Sequence, residues 1–305
     1  VAGGAWDDPA RPLGARYFTP TKETNRSIDF AELAPHIIAR TGDRATGGYW
    51  SDDAGASWHA FESSPRSGRR HTEVEIVAVS ARGSAFVFAQ QGVALWSHDR
   101  GRTWTPCQGW PAATQTLRPV ADRAADGVFY VHDPASGQVL ASIDGGRRFE
   151  PLLTGLPRLD REQRSHLLSA PGKERDLWLA LHDQLLQLPG RGRPARPITA
   201  VAEAWMLALG KGPGRGPYRH SLYVWGKVRN SGAPVEGLHR SDDGGATFIR
   251  INDDAHRYGR LLSMAGDARE HGTLYIAPHG RGVVVGRPLN ANMQRRASHP
   301  PRRNC

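Results

Sequence analysis

The sequence predicts an all-β fold, a β-propeller of about five to six recognisable four-stranded blades. Two observations carry that expectation. First, one short frame, Ser-x-Asp-x-Gly-x-x-Trp/Phe, recurs along the chain. Its copies are Ser51, Asp53, Gly55 and Trp58; Ser97, Asp99, Gly101 and Trp104; Ser142, Asp144, Gly146 and Phe149; and Ser241, Asp243, Gly245 and Phe248. The steps between copies are 46, 45 and 99 residues, the last being about two periods. A fixed period of this size marks a propeller or a similar array. Second, the 305 residues include 35 Gly, 22 Pro and 9 Trp, a turn-rich and ring-rich composition suited to stacked sheets.

Each copy comes after a short apolar run that starts at a glycine, as in Gly92-Val93-Ala94-Leu95-Trp96, and leads into another run, as in Ile249-Arg250-Ile251. That pattern is strand, tight turn, strand. The Asp can accept hydrogen bonds from turn N–H groups. The Gly can take the positive φ that the turn needs. The closing Trp or Phe puts a large ring into the gap between neighbouring sheets. The four aspartates are therefore expected to be structural and not catalytic. A fifth copy has decayed within Asp183–Pro194: with Leu188 at the serine position, the steps become 46, 45, 46 and 53.

Taken in order, residues 1–26 are expected to form an irregular loop segment, with Trp6-Asp7-Asp8-Pro9, Pro12, Gly14 and Pro20. Blades are expected over residues 27–288. The first has the alternating Ser27–Leu33, the apolar Ile37–Arg40 and the hairpin from Gly47 to Phe61. The second has Val74–Val79, a turn at Arg82-Gly83, Ala85–Phe88 and the frame at Ser97. The third runs from Leu117 through Val128–Val131 to Ser142. The fourth has Leu167–Ser169, Leu177–Ala180 and the decayed turn. The fifth has Ala204–Leu209, a Gly/Pro-rich excursion at 210–217, Ser221–Trp225 and the frame at Ser241. A sixth set offers Leu261–Met264, Thr273–Ile276 and Val283–Val285, without the frame. Residues 289–305 are polar and rich in Pro and Arg, and are expected to be a disordered basic tail.

The formal net charge is +10, and Lys22, Lys173, Lys211 and Lys227 are the only lysines. The arginines are scattered over the blades and cluster only in the tail, so no nucleic-acid partner is expected. No stretch has the length of a membrane-spanning helix. Cys107 and Cys305 give no disulfide framework and no metal-ligand spacing, and the His residues are scattered, so neither metal nor cofactor is expected. Val1-Ala2-Gly3-Gly4 is not a signal peptide and looks like a cut end.

The frame resembles the Asp-box, or BNR-type, repeat of sialidases, sortilin-type receptors and some glycosidases. Further stretches narrow the resemblance: Ser27–Leu33, Gly155-Leu156-Pro157, Ala170–Ala180, Ile251–Gly259, Gly266–Arg269 and Gly280–Gly286. In this order and spacing, over roughly residues 1–288, they resemble the carboxy-terminal half of glycoside hydrolase family 74, the xyloglucanases. The resemblance implies two seven-bladed propellers, so that the family fold is incomplete in this chain. It implies a polysaccharide held in the cleft between the propellers, and inverting cleavage of xylose-branched β-1,4-glucan. It places the catalytic base on the first propeller. The acid lies in a Gly-Asp-Ile/Val-x-Gly-type motif that leads into an Asp-Asp pair. Val1-Ala2-Gly3 with Asp7-Asp8 after it is similar to the tail of that motif, and the acid would then precede Val1.

No catalytic residue is therefore expected in this chain. Inverting hydrolysis needs two carboxylates, and the chain would contribute as one part of a xyloglucanase- or endoglucanase-type glycoside hydrolase, inactive alone. Its partners would be a β-glucan or xyloglucan oligosaccharide and a separate amino-terminal propeller half, and its location secreted or periplasmic. Trp6, Asp7, Asp8 and Tyr258 are the substrate-binding candidates. One alternative is a non-catalytic propeller that binds carbohydrate or protein. A second is a sialidase-like hydrolase.

Overall fold

In the computed structural model, the described residues are 4–5, 16–19, 25–42, 47–63, 74–160, 162–190, 192–229 and 232–288. Their regular structure is entirely extended, with no α-helix among them. The chain divides into two compact units, Val1–Pro197 and Ile198–Cys305.

The first unit starts with a two-stranded antiparallel ribbon, β1 (Gly4–Ala5) on β2 (Arg16–Tyr17). This ribbon lies inside the stretch expected to be irregular; the rest of that stretch, apart from residues 18–19 and 25–26, falls outside the described residues. Four antiparallel sheets come next. The first comprises β3 (Ile28–Ala31), β4 (Ala34–Thr41), β5 (Gly48–Ser51) and β6 (His59–Ala60). The second comprises β7 (Ile76–Val79), β8 (Phe86–Gln90), β9 (Val93–Ser97) and β10 (Thr105–Pro106). The third comprises β11 (Pro119–Ala121), β12 (Phe129–Asp133), β13 (Gln138–Ser142) and β14 (Glu150–Leu153). The fourth comprises β15 (Ser165–Ser169), β16 (Leu177–Leu181), β17 (Gln184–Leu188) and β18 (Arg196–Pro197).

The second unit holds two sheets. One comprises β19 (Val201–Lys211), β20 (His220–Val228), β21 (Val235–Ser241) and β22 (Ile249–Arg250). The Gly/Pro-rich excursion is the loop between β19 and β20. The other comprises β23 (Leu261–Gly266), β24 (Leu274–Pro278) and β25 (Val284–Gly286), three strands among the described residues. Every sheet is a simple meander in chain order, the blade unit of a β-propeller. The fold is thus all-β, with six blades among the described residues.

Burial explains why the second strands read as apolar runs and not as alternating patterns. In the first unit, adjacent sheets pack through their first strands, β3 on β7, β7 on β11 and β11 on β15. A blade covered on both faces needs apolar residues at every position, and β8 and β12 are buried throughout. The fourth strands β6 and β10 have only two residues each, all exposed. Such short outer edges offer little template for pairing with another chain.

The four serines of the repeated frame end the third strands β5, β9, β13 and β21, and all are buried. Beyond each serine lie two consecutive left-handed residues. In the second sheet they are Arg100 (φ 59°) and Gly101 (φ 81°). A β-carbon at Gly101 would run into the ring of Phe61 from the first sheet, so sterics and backbone both demand glycine there. The rings of Trp104 and Phe149 then lie against the preceding sheet. Trp104 sits edge-on to Phe61 at 5.2 Å and to Phe88 at 5.8 Å. Phe149 meets Trp110 at 4.9 Å and is buried in a cluster with Val87, Phe129 and Leu140. Trp58 and Trp104 are half-buried.

Ser97→Ala removes the acceptor of the buried Gly101 N–H and the donor to Asp99. We expect a loss of about 1–2 kcal/mol of stability, measured by denaturant unfolding. An unchanged midpoint would show that the turn does not depend on this hydroxyl.

Candidate functional site

The frame residues form four separate clips. In each, the serine hydroxyl donates to its aspartate: Ser51 to Asp53, Ser97 to Asp99 and Ser142 to Asp144 at 2.8 Å, and Ser241 to Asp243 at 2.7 Å. The same serine oxygen accepts the glycine N–H, from Gly55, Gly101 and Gly245 at 2.8 Å and from Gly146 at 3.0 Å. The aspartate Oδ1 accepts the N–H of the sixth residue after the serine, from Ser57, Thr103, Arg148 and Thr247. In three copies that residue's hydroxyl also donates to Oδ2, at 2.7 Å from Ser57 and 2.6 Å from Thr103 and Thr247. Sequence reasoning missed this hydroxyl. Its signal was Ser or Thr one residue before the ring in three of the four copies.

These bonds favour the ionised carboxylate. The Ser57 hydroxyl and N–H, with Ser51, pull Asp53 down to about 2. At Asp99, Asp144 and Asp243 partial burial pushes the carboxyl upward, but the hydrogen bonds together outweigh it and the pKa falls. Each carboxylate is bonded within its own turn.

Of the substrate-binding candidates, Trp6, Asp7 and Asp8 lie outside the described residues, as do residues 289–305. Tyr258 is half-buried on the loop after β22, packed against the cluster of Leu238, Leu261 and Met264. It lines a cavity of about 260 Å³ with Arg240, Asn252 and Leu274. The loop is built from its own polar residues. Asn252 Oδ1 accepts Leu238 N–H at 2.8 Å, and Asn252 Nδ2 donates to His256 O at 3.1 Å. His256 donates its N–H to Asp253 at 2.8 Å, and its ring contacts the same carboxylate. Arg250 and Arg257 both donate to Asp254. Asp253, through His256, and Asp254, through Arg250 and then Arg257, are held below the usual carboxylate range.

The remaining tryptophans pack against neighbouring side chains. Trp50 stacks on His59 at 4.7 Å with the Arg100 guanidinium 4.7 Å from its ring, and Trp96 meets His98 at 4.7 Å with Arg147 at 5.2 Å. Trp205 and Trp225 meet at 5.0 Å.

The first unit also holds a charged cluster with no sequence signal. Arg123, in the loop after β11, donates to Asp29 Oδ1 at 2.7 Å and to Phe30 O at 2.9 Å, both on β3. Its backbone N–H donates to Ser169 Oγ at the end of β15. One residue thus ties together the first strands of the first, third and fourth sheets. Asp29 Oδ2 accepts Val79 N–H and so adds the second. Nearby, burial pushes the Glu32 carboxyl up, against the pull of Arg123. Among the described residues, no group of three or more His, Cys, Asp or Glu side chains is placed to hold a metal ion.

No protein-family model matches the chain. A xyloglucanase from Paenibacillus sp. is 30% identical over 307 residues, covering 96% of this chain and 28% of that protein. The crystal structure of the GH74 xyloglucanase from Xanthomonas campestris superposes with a TM-score of 0.76 at 32% identity, over 90% of this chain and 38% of that one. The GH74 enzyme of Niastella koreensis superposes with a TM-score of 0.75 at 29% identity, over 88% and 37%. The chain therefore spans about a third of the length of the relatives it matches.

The clip geometry makes stability depend on pH. The clip carboxylates have lowered folded pKa values, so the stability they add is complete above the unfolded value, about 3.9, and is lost as pH falls toward the folded ones. Thermal melts should therefore drop steeply between about pH 4 and pH 2, and Asp243→Asn should flatten that limb. Arg123→Met strands the half-buried Asp29 and should cost about 3 kcal/mol in urea unfolding at pH 7.

Proposed function

We propose that the chain, which matches about a third of the length of glycoside hydrolase family 74 xyloglucanases, supplies one propeller portion of an inverting hydrolase acting on xyloglucan or a related β-1,4-glucan. The observation that carries this reading is similarity spread over 96% of the chain and not confined to the repeated turns. Inverting hydrolysis needs an acid and a base about 6.5–9.5 Å apart, one to protonate the leaving oxygen and one to activate water. Asp53, Asp99, Asp144 and Asp243 are engaged in their own turns and held ionised, which suits neither a general acid nor a free base. The reactive pair is completed by sequence beyond the described residues. A separate amino-terminal propeller half would form the other wall of the cleft.

On this proposal the chain contributes substrate contacts. Glucan rings stack on aromatic faces, and Tyr258 offers a half-buried ring on a loop braced by Asn252 and the Asp253–His256 contact. Trp6, Asp7 and Asp8 complete the contacts from the amino-terminal stretch. A location outside the cytoplasm, secreted or periplasmic, belongs to the same proposal and is supported by the similarity to the xyloglucanases. A second reading, a non-catalytic carbohydrate-binding propeller, is favoured by one observation: all four clip carboxylates are committed to structural bonds.

The purified chain should release no reducing ends from xyloglucan, yet bind xyloglucan oligosaccharides in calorimetric titration. Tyr258→Ala should weaken that binding about tenfold. Turnover by the chain alone would overturn the assignment of the acid to another segment. Restoration of turnover by a separately produced amino-terminal half would exclude the purely binding reading.

A further inference from the structure

Counting from the end of each third strand puts equivalent positions in register. In the fourth sheet Leu188 stands where the clip serines stand. Gly190, Gly192 and Ala195 then take the places of the clip aspartate, the clip glycine and the closing ring. In the second and third sheets that ring, Trp104 or Phe149, fills the gap to the preceding sheet. In the fourth it is a single methyl group.

The opposite wall of the same gap has lost a ring as well. Trp50 and Trp96 each stand one residue before a clip serine, with a guanidinium from the next clip over the indole. The corresponding residue of the third sheet is Ala141. The arginine that would cover it is present: Arg193 stands five residues past the end of β17, as Arg147 stands five past the end of β13. Two rings are missing, and the cation that should face one of them remains.

The result is a cavity of about 320 Å³ between the third and fourth sheets, floored by Tyr130, Ala141, Leu177, Leu188 and Ala195. Ile143 and Leu152 line it while 71% and 51% exposed, as apolar side chains at an open mouth. Arg175 and Arg193 also line it, and neither is in an ion pair among the described residues. The Arg193 guanidinium donates to a carbonyl of its own turn, Pro189 O, at 3.2 Å, which leaves its charge unneutralised. The neighbouring gaps are sealed by backbone bonds, Glu62 N–H to Gly101 O and Gln108 N–H to Arg147 O. No such bond among the described residues joins Leu153–Leu156 to the turn at 188–195.

We infer that this gap is a binding site for a planar aromatic carboxylate, whose ring occupies the place of the missing side chains and whose charge meets Arg175 and Arg193. The volume lies at the lower end of the range for small-molecule sites, with a largely apolar lining and a few polar groups. A guanidinium over a ring face is favourable in itself, and a carboxylate adds charge-assisted hydrogen bonds.

The test is titration of the whole chain with indole-3-acetate, monitored by calorimetry and thermal melts, beside indole and cyclohexaneacetate. Indole-3-acetate should bind saturably and raise the melting temperature, and should bind about tenfold more tightly than either control. Ala195→Trp refills the gap; it should raise the melting temperature without ligand and abolish binding. Ala141→Phe blocks the site from the other wall and serves if the first variant does not fold. Arg193→Gln should bring the affinity for indole-3-acetate down to that for indole. Absence of saturable binding to the unmodified chain would overturn the proposal. So would equal binding of cyclohexaneacetate, or undiminished binding by a folded Ala195→Trp or Ala141→Phe variant.

Discussion

The serine hydroxyl at the end of a third strand decides how two sheets meet. It accepts the N–H of a glycine held in left-handed geometry and donates to an aspartate that gathers the rest of the turn. With the turn fixed, the ring one residue beyond it has one direction to go, into the space beside the preceding sheet. A hydrogen bond of modest net strength thus controls an aromatic contact of much larger buried area. The hydrogen-bonded ladders run within each sheet, so lateral locking falls to such ring contacts together with a few bonds between sheets, among them Glu62 N–H to Gly101 O and Arg123 to Asp29.

The fourth sheet has lost the hydroxyl and the carboxylate together, and it separates their effect from that of strand pairing. Its strands pair in the same register as the others, Leu177 opposite Leu188 and Leu181 opposite Gln184. The meander therefore does not require the clip. The lateral packing is different: the ring is gone and the gap to the third sheet stands open. The clip acts between blades, while strand pairing is set by the apolar runs themselves.

Much of the fold was legible because its information is local. A frame spaced at 46 and 45 residues located the hairpins, and apolar runs between glycines located the strands. Leu188 could be placed at the serine position from period alone. The candidate site was less legible. The hydroxyls of Ser57, Thr103 and Thr247 were visible as letters, yet nothing in the spacing announces that they face an aspartate. Arg123 and Asp29 lie 94 residues apart on different sheets, and no periodicity connects them. The cavity at Ala195 needs both walls at once, one set by Ala141 and the other by the decayed turn. Trp6, Asp7 and Asp8 lie outside the described residues, so their roles rest on resemblance.

The Arg123 tie has a kinetic meaning. A bond between the first and third sheets closes a loop of 94 residues, and its entropic cost is offset more readily once the second sheet is in place. We expect it to close late in assembly. Interactions absent from the transition state act on the rate of opening and leave the rate of folding unchanged. Arg123 acts as a latch: it governs how long the first unit, once formed, stays shut.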